Sequence, residues 1–111
     1  LDRTGQEFLA EFLQRVVDRN PKNLEALAEL AQVLTSMGRI EDGLAADERL
    51  AELAPDNATV HYNLACSLSL LGRTDSALEA LERAVELGYD DVEHLLDDAD
   101  LAGLHTLFHQ N

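Results

Sequence analysis

Apolar positions recur at helical spacing through most of the chain. Leu27, Leu30, Ala31 and Leu34 fall at i, i+3, i+4 and i+7, one face of a helix. Leu64, Ala65, Leu68 and Leu71 repeat that stripe further on. Gly38 and Gly72 follow the two stripes, where glycine ends a helix because it enters the left-handed region at no steric cost. Second helices are expected at about 40–53 and 74–87, with Thr74 as a candidate N-cap of the latter. The segments Pro21-Lys22-Asn23 and Pro55-Asp56-Asn57 read as turns between helix pairs.

Sliding the sequence against itself by 34 residues exposes a repeat. Leu30, Ala31 and Leu34 meet Leu64, Ala65 and Leu68, and Gly38-Arg39 meets Gly72-Arg73. Leu44 meets Leu78, Glu48-Arg49 meets Glu82-Arg83, and Glu52-Leu53 meets Glu86-Leu87. The same shift places Arg15, Pro21 and Asn23 on Arg49, Pro55 and Asn57, so half a unit precedes two full ones. A fixed period of this size implies stacked supersecondary units, each unable to bury its apolar stripe alone. One domain is expected over 1–111: a leading helix at 5–20, repeat units at 24–57 and 58–91, and a capping tail at 92–111.

On these residues the chain resembles the tetratricopeptide repeat family over about 7–89. Leu64, Ala65, Leu68, Ala77, Leu81 and Ala84 fill the family's small and large core positions in the second unit, and Leu27, Leu30, Ala31, Leu34 and Pro55 match in the first. His61 stands where the family has Trp and is expected to pack as a substitute aromatic; Tyr89 replaces a Pro. Gly43 replaces a small Ala, and a helix-interior Gly costs about 0.5–1 kcal/mol relative to Ala. Asp47 stands where a large apolar side chain is usual. Two readings of it remain open: rotation of the helix carries the carboxyl to water, toward Arg15 or Arg49, or it anchors a partner. The tail segment from Asp98 to Phe108 resembles an end-of-group segment closing some bacterial arrays, with Ala99 and Gly103 in place of prolines.

The resemblance implies an all-α solenoid of antiparallel helix pairs whose first helices line a concave groove. By alignment those faces carry Glu25, Ala28, Glu29, Gln32, Thr35 and Ser36, then Thr59, Tyr62, Asn63, Cys66, Ser69 and Leu70. The candidate groove residues are Glu25, Glu29, Gln32, Tyr62, Asn63 and Cys66. Asn63 matches a family Asn that often bonds the backbone of a bound peptide, and Tyr62 offers an apolar face with a polar tip. The cationic residues with which some relatives clamp an acidic C-terminal tail are missing; Glu25 and Glu29 stand instead.

Composition agrees. Of 111 residues, 46% are hydrophobic and only 5% aromatic, with no Trp, so Leu and Ala must supply the core. Against 8 basic residues stand 22 acidic ones, a net charge of −14, which repels phosphate backbones and anionic membrane surfaces and favours a basic peptide or protein as partner. The same acidity also keeps proteins soluble and apart. Seven of the eight cations are Arg, which fits a G+C-rich genome or salt adaptation. A single cysteine, Cys66, excludes an internal disulfide and fits a reducing, cytoplasmic setting. No apolar run approaches 18 residues and no signal-peptide pattern opens the chain; its first residue is Leu1, so it is expected to be a piece of a longer protein.

No catalytic chemistry emerges. His105 and His109 lie four apart, a chelating spacing near His94, Asp97 and Asp98, but no HExxH or further ligand set completes a zinc site, and neither a metal nor a cofactor is expected. Cys66 has no Cys/His/Asn signature around it. Phosphate loops, dinucleotide fingerprints and nucleophile elbows are missing. The expected role is a non-catalytic module binding an extended or basic peptide. The alternative is self-assembly, including a homodimer through the leading helix, because Phe8, Leu9, Phe12, Leu13, Val16 and Val17 exceed what one buried face requires.

Overall fold

The computed structural model describes residues 2–90, which form five helices in chain order: α1 (Arg3–Arg19), α2 (Leu24–Ser36), α3 (Ile40–Leu53), α4 (Ala58–Leu70) and α5 (Thr74–Glu86). The helix pairs α2/α3 and α4/α5 are the two units, and α1 packs on α2 as the second helix of a preceding half unit. The histidines at 94, 105 and 109 and the expected capping tail lie outside the described residues.

Each full unit turns on a glycine. Gly38 and Gly72 have φ of 83° and 74°, and both turns carry the same bonds. Arg39 N–H donates to the Leu34 carbonyl and Gly38 N–H to that of Thr35; Arg73 and Gly72 repeat this with Leu68 and Ser69. That pairing satisfies the last carbonyls of α2 and α4. The opposite ends of these helices are capped by asparagine: Asn23 accepts from Ala26 N–H and Asn57 from Val60 N–H, each at 3.1 Å. Thr74 is not a cap. Arg73 holds the N-cap position of α5 without a side-chain bond, because the glycine turn leads straight into the helix.

Leucine and alanine form the core, as composition requires. Ala31, Ala65, Ala77 and Ala84 are buried at helix crossings, where a missing side chain permits close approach. Leu27, Leu30, Leu34, Leu44, Leu50 and Leu81 fill the space between, each contributing about 1.5–3 kcal/mol on full burial. Leu64 is only partly buried against this core.

Gly43 differs from its expected role as a weak point. A Cβ there would lie 2.5 Å from Thr35 Oγ1 and 3.2 Å from the Ala31 carbonyl oxygen. The glycine lets α3 cross α2 at a distance alanine would not, which offsets its helix-propensity cost.

Candidate functional site

The first helices of the two units, α2 and α4, flank a cavity of about 330 Å³ with α3 as its floor. Four of the six candidate groove residues come together there: Gln32 from α2, and Tyr62, Asn63 and Cys66 from α4. Glu25 and Glu29 are exposed on α2, one to two turns N-terminal of Gln32, and do not line the cavity. Thr35, Ser36 and Leu70 also line it, in agreement with the aligned faces, whereas Thr59 and Ser69 do not.

Asn23 and Asn57 start α2 and α4 at equivalent points, so Gln32 and Cys66, 34 residues apart, face the same cavity. Tyr62 is only 4% exposed, and its ring stacks on Tyr89 with centroids 4.2 Å apart and planes 6° from parallel. It is a wall of the cavity already engaged by the fold, which accounts for an aromatic at 89 where the family has Pro. Cys66 is buried and forms no disulfide. His61 does not act as an aromatic filler alone: its Nε2 lies 2.8 Å from the Pro55 carbonyl oxygen and ties α4 to the turn before it.

The floor holds what the aligned faces missed. Asp47 from α3 lines the cavity while only 4% exposed, and Ser67 Oγ of α4 donates to its Oδ2 at 2.5 Å. The carboxyl does not rotate out to water, and neither Arg15 nor Arg49 reaches it: Arg49 is bonded to Glu52 at 3.1 Å on its own helix. Burial pushes the Asp47 carboxyl up to about 6, partly countered by the Ser67 bond and reinforced by the nearby Glu48 charge. A signal existed in the sequence. At a shift of 34, Asp47 aligns with Leu13 and Leu81, and Ser67 aligns with Val33, so two apolar columns turn polar at the same interface.

On the opposite side, between α1 and α3, lies a second, wider concavity of about 870 Å³. Arg39 and Arg49 are on its lining beside Glu7, Glu11 and Asp42. Among the described residues no three His, Cys, Asp or Glu side chains converge as a metal site would need, and no helix is long and apolar enough to cross a membrane.

With this geometry in place, the sequence pattern of the tetratricopeptide repeat matches residues 23–88, both full units. The chain belongs to the tetratricopeptide repeat family. Two solved structures of MamA AMB-1, in different crystal forms, are similar to this tetratricopeptide repeat chain at 26% identity. Their TM-scores are 0.71 and 0.72, covering 75% and 83% of this chain but 49% and 51% of theirs. The chain thus spans about half the length of those MamA structures. No curated protein matches it. Tetratricopeptide repeats generally mediate protein–protein interaction and are typically not enzymes.

Proposed function

We propose that this chain is a non-catalytic interaction module that takes an extended, basic segment of another protein in the α2/α4 groove. The observation that carries the reading is the groove itself. It is open, built by both units, and combines polar side chains able to bond a peptide backbone, Gln32 and Asn63, with the apolar wall of Tyr62 and Leu70. Its floor holds a carboxylate, and among the described residues no Lys or Arg lines it. The net charge of −14 draws a basic segment toward it. The single cysteine, in no disulfide, supports a cytoplasmic setting, and the bacterial end-of-group resemblance at 98–108 supports a bacterial source. Glu25 and Glu29, exposed beyond the groove end, belong to this reading as rim charges.

Display of random linear peptides on the whole chain tests it. Enrichment of Lys- and Arg-containing peptides is expected, with binding weakened by salt and reduced at least fivefold by Asn63→Ala or Gln32→Ala. Enrichment of acidic peptides, or of none, would overturn it.

A second reading, self-assembly, is favoured by one observation. Phe8 and Phe12, four residues apart on α1, are 72% and 53% exposed while Leu13 points inward. Light scattering over a dilution series decides it: a persistent dimer that Phe8→Ser with Phe12→Ser converts to monomer supports assembly, and a wild-type monomer removes it.

A further inference from the structure

Asp47 is not needed to build the fold. Its register equivalents Leu13 and Leu81 are both buried leucines, so an apolar residue satisfies this position in the flanking helices. An acid here forgoes apolar contact and desolvates a charge. What surrounds it indicates a use for that charge. Ser67 engages Oδ2, and no other hydrogen bond to this carboxyl exists among the described residues. Among the described residues no buried side-chain oxygen is left without a partner, so the second carboxylate oxygen must reach the cavity that Asp47 lines. Among the described residues that line the cavity, none is a cation that could meet it. Arg39, at the N-cap of α3, and Arg49, within it, are bonded to Asp42 and Glu52 and line the opposite face. Above the carboxylate, Leu50, Tyr62 and Leu70 offer apolar walls suited to a methylene stem.

We propose that the floor of the α2/α4 groove is a pocket for one lysine or arginine side chain of the bound segment, with Asp47 as its counter-charge and Ser67 as the residue that orients the carboxylate. This rests on the interaction-module reading and makes it more specific. Asp47 is the specificity-determining residue, while Gln32 and Asn63 hold the segment's backbone whatever its side chains. A volume of about 330 Å³ is at the small end of ligand sites and suits one side chain with its flanking backbone.

The pocket also makes recognition depend on pH. The groups facing Asp47 are Glu48 on its own helix, and Tyr62, Cys66 and Ser67 on α4; α2 brings only neutral side chains to the cavity, and α5 none. His61 on α4 is turned to the Pro55 carbonyl and does not line it. With its carboxyl raised to about 6, Asp47 is mostly ionised at pH 7 and mostly protonated at pH 5. A cation in the pocket is therefore held about tenfold less tightly at pH 5 than at pH 7.

The test uses the whole chain and the basic peptides enriched by display. Each Lys or Arg is replaced in turn by norleucine or citrulline, and affinities are measured by fluorescence anisotropy at fixed ionic strength. One replacement is expected to cost wild type at least tenfold and Asp47→Asn less than twofold. Ser67→Ala keeps the carboxylate and is expected to lie between. If peptides bind but every replacement costs the two proteins equally, the pocket falls and the groove reading stands. If no basic peptide binds, the groove reading falls and takes the pocket with it. Should Asp47→Asn fail to fold by circular dichroism, the wild-type pH series decides. The Lys peptide must then lose about tenfold more affinity between pH 7 and pH 5 than its norleucine analogue, and an equal loss overturns the proposal.

Discussion

The interfaces α1/α2 and α3/α4 are the same joint built twice, one repeat apart. At the first, Leu13 and Val33 belong to one buried apolar cluster. At the second, the equivalent positions are Asp47 and Ser67, equally buried but joined by a hydrogen bond. The first joint is held by apolar burial alone. The second gives up part of that burial for a carboxylate at the bottom of a groove, and a buried acid with a single partner is a costly substitute for leucine. The difference separates what stacking requires from what it tolerates: helix pairs stack with either pair of residues, and only the polar joint opens a charged floor to the groove. A second contrast runs through the units themselves. Gly43 sits against Thr35 in unit one, where unit two has Ala77 and Ser69 at the equivalent places.

Moving the polar joint is the strongest way to break this comparison. Leu13→Asp alone buries an unpaired carboxyl and is expected to cost about 3–5 kcal/mol in urea unfolding. Adding Val33→Ser should return about 1 kcal/mol. No recovery would mean that the Asp–Ser pair depends on something particular to α3/α4.

Next comes Asp47→Asn. Because the folded carboxyl titrates near 6 rather than 3.8, the folded state holds its proton longer than the unfolded chain. Wild type therefore loses stability as pH rises between those values, by up to about 3 kcal/mol, and does not regain it above them. The Asn variant should be about 1–3 kcal/mol more stable than wild type at pH 7, with the gain vanishing near pH 3.5. A gain independent of pH would assign it to packing rather than charge.

Gly43→Ala sharpens the second contrast. It should cost about 1–3 kcal/mol despite alanine's better helix propensity, because Thr35 and the Ala31 carbonyl stand in the way. Thr35→Ser in the same chain should recover much of this, since serine is less restricted at χ1. A neutral Gly43→Ala would show that α3 can move off α2 freely.

The smallest effect is expected at the exposed phenylalanines. Phe8→Ser with Phe12→Ser should change monomer stability by no more than about 0.5 kcal/mol, as substitutions away from packed features usually do. A larger loss that depends on protein concentration would place these rings in an interface.

Much of the groove was legible in the sequence. Gln32, Tyr62, Asn63 and Cys66 line the cavity where the alignment to the repeat family implied a first-helix face, because the 34-residue register carries that face from one unit to the next. Its floor was not, because Asp47 lies on the second helix of its unit. It stands where a large apolar side chain is usual, which left open whether the acid rotates to water or anchors a partner. The exclusion of Glu25 and Glu29 from the cavity was likewise hidden, since periodicity gives direction around a helix but not where along it a groove ends.

By itself, the sequence determined the helices, their glycine turns and the repeat that stacks them. These depend on residues three to five apart, where helix geometry leaves little choice. The tertiary structure decided the pairs that join different helices: Ser67 on Asp47, Tyr89 on Tyr62, and Thr35 against Gly43. Each depends on how closely two helices approach and how far one is displaced along the other. That spacing emerges only when all side chains at a crossing are packed at once, and at α3/α4 it left a carboxylate at the base of a groove instead of in solvent.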